Sequence, residues 1–166
     1  MALKTDVRGM VWHYPDVYVV GREKVREFAK AIHVEDPACY HEDAAAELGY
    51  PAIVAPPTFV TIFGKLVQSD FFRHVDIGIE MMQIVQVDQK FVFFKPVLVG
   101  DRLHARMAVH SVTERFGADI VVTKNTCTND AGEIVLEAYT TLMGREGDES
   151  IQLKWDMESG QIIRSA

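Results

Sequence analysis

The sequence predicts an α+β chain in which an antiparallel sheet wraps around one long central helix. Two observations carry that prediction. From Thr58 to Val67, apolar residues stand at 59, 60, 62, 63, 66 and 67, and only Thr61, Lys65 and Gln68 give a polar edge. An apolar arc that wide belongs to a buried helix. The second half of the chain alternates with a period of two instead, as half-buried strands do. Its apolar face has to be covered, and residues 57–69 are the only element apolar enough to cover it.

The elements follow in order. Val25, Phe28, Ala29 and Ile32 recur at helical spacing among Arg22, Glu23, Lys24, Arg26, Glu27 and Lys30. That is an amphipathic helix of about three turns, ended or followed by Pro37. A short helix is expected from His41 to Leu48, with Gly49 just past its end. A loop with Pro51, Pro56 and Pro57 leads into the central helix, 57–69. Pro57 suits a first turn, where its missing N–H would be unpaired anyway. Strands are expected near 84–95, 102–113, 118–128 and 133–143. In the first, Val85, Val87, Gln89, Phe91 and Phe93 share a face opposite Gln86, Asp88 and Lys90. Short turns at Gly100-Asp101, Glu114–Gly117 and Asn129–Gly132 predict an antiparallel meander. A helix wrapped by such a sheet is the hot-dog arrangement. Residues 1–145 are read as this single domain and 146–166 as a C-terminal tail, either a surface appendage or part of an oligomer contact.

Composition removes several classes. Lys plus Arg is 17 against 24 Asp plus Glu, a net charge of −7. Nucleic-acid binding normally shows a basic excess, absent here. The apolar stretch Ile53–Val67 is too short and interrupted to span a bilayer. The first residues show no apolar signal-peptide core, so the cytoplasm is the expected compartment. Cys39 and Cys127 form no CxxC pair, and the six histidines show no metal-ligand spacing. Neither metal nor cofactor is expected.

Phe93-x-x-Pro96-Val97-x-x-Gly100-Asp101-x-Leu103 resembles the strand–turn–strand signature of the MaoC-like hot-dog dehydratases and hydratases. The stretches MALKTDVRGM, DFFRHVDIGIE, MQIVQVDQKFVFFKPV, FGADIVVTKN, EAYTTLMG and LKWDMESGQIIR resemble the C-type subunits of mycobacterial (3R)-hydroxyacyl-acyl-carrier-protein dehydratases. That resemblance covers essentially the whole chain. It implies a heterodimer with a catalytic B-type hot-dog subunit, acting on long 3-hydroxyacyl chains borne by acyl carrier protein. The implied product is the trans-2-enoyl thioester, formed during chain elongation for mycolic acids.

Active members of this family carry Gly-Asp-x-Asn-Pro-(Leu/Ile)-His, then Ala-His-Gly at the start of the central helix. The His serves as base, the Asp orients the reacting hydroxyl, and the Gly N–H polarises the thioester carbonyl. Set on Pro37 and Gly49, the Asp position falls on Val34 and the His position on Cys39. Ala-His-Gly falls on Ala55-Pro56-Pro57. Pro57 has no N–H to donate, and one lost donor of this kind costs roughly 100- to 1000-fold in rate. The resemblance therefore implies a subunit with no catalytic residue of its own, the dyad coming from the B-type partner. Asp36 and His41 share the dyad's spacing and are the fallback pair for an autonomous hydratase. Asp36 opening a turn and His41 opening a helix is the plainer reading. An acyl-binding scaffold without an enzymatic partner is the third alternative.

Pro57, Thr58, Phe59, Ile62, Phe63, Gly64, Leu66 and Val67 are candidates for a substrate channel, most plainly beside Gly64, where a missing side chain leaves room. Lys65, Arg73, Lys90, Lys95 and Arg102 are candidate contacts for an acidic carrier protein.

Overall fold

The computed structural model describes residues 9–75, 84–115, 118–144, 152–156 and 161–165. Strands β1 (Val11–His13) and β2 (Tyr18–Val19) precede helix α1 (Arg22–Ala31). Helix α2 spans Glu42–Glu47, and a 3₁₀ turn at Pro57–Phe59 feeds helix α3 (Val60–His74). Four longer strands follow: β3 (Val85–Phe93), β4 (Arg102–Arg115), β5 (Ala118–Thr128) and β6 (Ile134–Gly144). A hairpin of β7 (Gln152–Asp156) and β8 (Gln161–Ser165) lies in the segment expected to be a tail.

The sheet is antiparallel, in the order β1-β4-β5-β6-β3, with β2 also paired to β4. This corrects the expected meander, because β3 pairs with β6 and not with β4. The reason lies in residues 94–101. Pro96 has no N–H for a ladder, and the neighbouring backbone bonds elsewhere. Val97 O accepts from Ala55 N at 2.8 Å, and Val99 N donates to Ile53 O at 2.9 Å. Gly100 N donates to Val20 O at 2.9 Å. The segment is thus a pinned crossover that carries the chain from the β3 edge to the far side of the sheet. The sequence reading also lacked β1 and β2, which are too short to show alternation.

Helix α1 ends well before Pro37. Val34 N donates to Ala29 O and His33 N to Lys30 O, with His33 itself at φ 57°. Helix α2 closes in the same way on Gly49, at φ 85°, as its sequence predicts. The central helix runs on to His74, one turn past its expected end. That extra turn buries Phe71 and is anchored from outside, since Trp12 Nε1 donates to Asp70 Oδ2.

The core sits between α3 and the sheet face that packs on it. Val60, Phe63, Val67 and Phe71 are the buried stripe of the helix. Leu103, Ala105, Met107 and Val109 of β4 join them in one cluster. Aromatic rings from the N-terminal segments pack on the helix: Tyr18 stacks on Phe63 with centroids 5.0 Å apart, and Phe28 meets Phe59 edge-on at 5.6 Å. Such pairs add to simple burial. Strand β3 is an edge, and Val85 and Val87 on it are exposed, as are Phe93 and Phe94. Among the described residues, no helix is long and apolar enough to cross a membrane.

Candidate functional site

The buried stripe of α3 leaves its polar edge for something else. Thr61, Lys65 and Gln68, with Gly64 and Val60 between them, line a cavity of about 310 Å³. The sheet side is Met107, Asn125, Cys127, Leu136, Ala138 and Thr140, completed by Gln86, Gln89 and Phe91 of the edge strand. A volume of this size has room for about ten waters. A second cavity of about 170 Å³ shares Lys65, Gln68 and Gln86 with it and continues to Ser69, Phe72 and Leu142. The two form a trough along α3 from Val60 to Phe72, about 18 Å at the helical rise. It lies on the β3 side of the helix, next to the sheet's open edge.

A bulge in β3 shapes this wall. The register shifts between Gln86 and Asp88, so that Gln86 pairs with Leu142 while Gln89 pairs with Thr140. Gln86 and Gln89 therefore both face the cavity, and Val85 and Val87 are left exposed. This corrects the simple alternation expected for 85–93. One extra residue flips every side chain beyond it.

Of the eight channel candidates, Gly64 lines the trough. Phe59, Phe63 and Val67 are buried in the core, Ile62 packs against it, and Leu66, Pro57 and Thr58 are exposed. Most of the wide apolar arc is core, with Leu66 left exposed, whereas the narrow polar edge with Val60 and Gly64 makes the cavity wall. Thr61, Lys65 and Gln68 were legible only as that edge, and Val60 only as part of the apolar arc. A Cβ built on Gly64 meets nothing within 4 Å.

The positions on which the resemblance sets the dyad, and the fallback pair Asp36 and His41, lie on or beside the Pro37–Cys39 turn. Asp36 caps the Pro37–Cys39 turn, its Oδ1 accepting from Ala38 N at 2.9 Å. Val34 is half-buried, and its carbonyl accepts from the Tyr40 hydroxyl at 2.7 Å. Cys39 is buried, and burial, then the charge of Asp36, pushes its thiol up. His41 is exposed at the start of α2, with no side-chain cap bond. Arg26 braces this segment by donating twice to Tyr40 O, at 2.8 and 2.5 Å. At the start of the central helix Pro57 has no N–H, and Phe59 N is turned back onto Pro56 O at 2.8 Å.

The candidate carrier contacts scatter. Lys65 lies on the trough, and Arg73 is exposed near the end of α3. Lys90 sits over the Tyr139 ring, 5.7 Å from its centroid. Lys95 pairs with Glu133, and Arg102 with Asp130 at 2.9 Å.

An antiparallel sheet with one long helix packed against it, and a trough beside an open edge, defines a hot-dog protein. The sequence matches the FAS1-like dehydratase domain region over residues 7–138, and the chain belongs to that family. It is 74% identical over 166 residues to a UPF0336 protein of Mycobacterium leprae, covering all of both chains. Among solved structures, it is similar to a chain of the C-terminally truncated HadBC (3R-hydroxyacyl-ACP dehydratase) complex of Mycobacterium tuberculosis. The identity is 68% and the TM-score 0.80, covering 86% of this chain and 100% of that one. A MaoC-like dehydratase matches with TM-score 0.80 at 29% identity, covering 96% of this chain and 52% of that one.

Proposed function

We propose that this chain is the substrate-binding, non-catalytic subunit of a heterodimeric (3R)-3-hydroxyacyl-acyl-carrier-protein dehydratase. It holds the acyl chain in the trough beside Gly64, and a B-type hot-dog partner supplies the Asp–His dyad. The observation that carries this reading is the dyad region: Val34 has no proton to exchange, Cys39 is a buried thiol that burial keeps protonated, and Pro57 lacks the donor N–H. Asp36 Oδ1 caps the Pro37–Cys39 turn.

In the reaction, the partner's histidine takes the α-proton of the 3-hydroxyacyl thioester. The electron pair moves toward the carbonyl and then forms the C2–C3 double bond. The C3–O bond breaks, and the hydroxyl leaves as water with a proton returned by the dyad. The product is the trans-2-enoyl thioester. This chain's part is positioning, which by itself can be worth several orders of magnitude in rate. Two further features support the reading. The trough borders the β3 edge, where a second hot-dog subunit would extend the sheet and cover an open edge. The HadBC complex supports a partner of that kind. Long acyl chains, an acyl carrier protein as their bearer with contacts among Lys65, Arg73, Lys90, Lys95 and Arg102, a place in mycolic acid elongation and a cytoplasmic setting belong to the same proposal.

The test is a dehydratase assay on long 3-hydroxyacyl thioesters. The chain alone is expected to be inactive, and activity should appear on adding the B-type subunit. Turnover by the chain alone would overturn the reading in favour of Asp36 and His41.

A further inference from the structure

Asn125 of β5 lines the trough and is only 4% exposed. Its Oδ1 has no hydrogen-bond partner among the described residues. Neither has Oγ1 of Thr123, two residues back on the same face and 1% exposed. Buried polar atoms in folded proteins are nearly always satisfied, and an orphan calls for a ligand, a water or a cost in stability.

The neighbours do not need these atoms. Thr140 donates its hydroxyl to Gln89 Oε1 at 2.9 Å, and Gln89 Nε2 donates to Tyr139 O at 3.0 Å. The strand register places Val109, Thr123, Thr140 and Gln89 in one cross-strand row, with Met107, Asn125, Ala138 and Phe91 in the next. Beyond that, toward Cys127 and Leu136, the floor is apolar. The trough thus has a polar waist. The helix contributes its own polar edge, Thr61, Lys65 and Gln68, to the same cavity. A channel for a plain hydrocarbon chain has no use for such a band, because each polar group it desolvates is lost hydration.

We propose that this waist selects acyl chains carrying a second hydroxyl group part-way along, which donates a hydrogen bond to Asn125 Oδ1. A hydroxyl meets the requirement because the orphan is an acceptor and needs a donor. This inference rests on the trough being the acyl site.

The test uses the complex of this chain with its hot-dog partner. Two 3-hydroxyacyl thioesters of equal length are compared, one plain and one with a second hydroxyl stepped along the chain in a series. The parent complex should favour the hydroxylated chain at one position of the series. Asn125→Leu should lower that preference about tenfold, the worth of one hydrogen bond. If Asn125→Leu does not assemble, Asn125→Ala gives the same readout. An unchanged ratio in an assembled variant, or no preferred position in the parent, overturns the inference and assigns the orphan to trapped water. Gly64→Phe separates the two levels. It should lower turnover of both substrates. If it lowers neither, the trough itself is not the acyl site, and the selection falls with it.

Discussion

Trp12 of the short first strand donates its indole N–H to Asp70 of the central helix at 2.8 Å, across 58 residues of sequence. The indole also stacks on His74, centroids 4.7 Å apart and planes 17° apart. Trp12→Phe keeps most of the ring and removes the donor. It is expected to cost about 1.5 kcal/mol, as for a hydrogen bond to a carboxylate. Asp70→Asn, which keeps an acceptor, should cost less. Urea denaturation of both variants checks the order, and equal costs would mean the bond contributes nothing beyond packing.

Gly64 yields predictions of opposite sign for stability and function. A Cβ at this position meets nothing within 4 Å, and glycine inside a helix is worse than alanine by about 1 kcal/mol. Gly64→Ala should therefore stabilise the chain by up to about that amount. Gly64→Phe should fill the trough and reduce turnover of long chains more than short ones. Thermal melts and a chain-length series on the complex measure the two effects.

His41→Ala in the proposed heterodimer should leave turnover within about threefold of the parent. General acid–base groups contribute roughly 100- to 10,000-fold, so a true base would be obvious. A hundredfold loss in a folded complex would restore the Asp36–His41 pair as the dyad.

Stability should fall in acid, and the sign follows from the carboxylates. The hydrogen bond from Lys124 holds the Glu137 carboxyl below its ordinary 4.5. The bonds from His104 to Asp130, from Lys95 to Glu133 and from Arg22 to Glu42 act likewise. The unfolded chain thus takes up protons first. The contribution is fully present above the unfolded carboxylate range and is lost as pH drops through it to the folded values. Glu137→Gln should flatten this slope in denaturation curves taken between neutral pH and pH 3. Most of these pairs are exposed, so added salt should flatten it too.

Both cysteines are buried, and burial pushes the Cys127 thiol up to about 12. A thiol reagent at pH 8 should label neither in the folded chain and both in urea. Rapid labelling of Cys39 alone would show that the Pro37–Cys39 turn opens readily.

The central helix and the four long strands were legible because each runs long enough to show a period despite local bulges. The Gly49 cap was legible for a local reason, since a left-handed residue closes α2. Strand order was not. Nothing in residues 97–101 reveals that their backbone bonds go to Ile53, Ala55 and Val20. The bulge at Gln86–Asp88 hid for a similar reason: one inserted residue leaves the composition of a strand unchanged. The trough was half-visible. Gly64 pointed to it, but its helical wall is the polar edge, which in sequence looks like solvent contact. The orphan on Asn125 could not be read at all, because a lone asparagine in a strand has no signature until its neighbours are placed.

The crossover that sends β3 to the far partner has a consequence during synthesis. Gln89 and Tyr139, bonded across the β3–β6 ladder, are 50 residues apart. At roughly 5–20 residues per second, β3 leaves the ribosome about 3–10 s before its ladder partner exists. For that interval it is a nascent strand with Val85, Val87, Phe93 and Phe94 uncovered and both edges vacant. Whatever reaches it first, a chaperone or an already folded partner subunit, competes with the chain's own C-terminal half. Slowing translation between residues 94 and 134 should therefore raise the insoluble fraction of the chain made alone, and should do so much less when the partner is made beforehand.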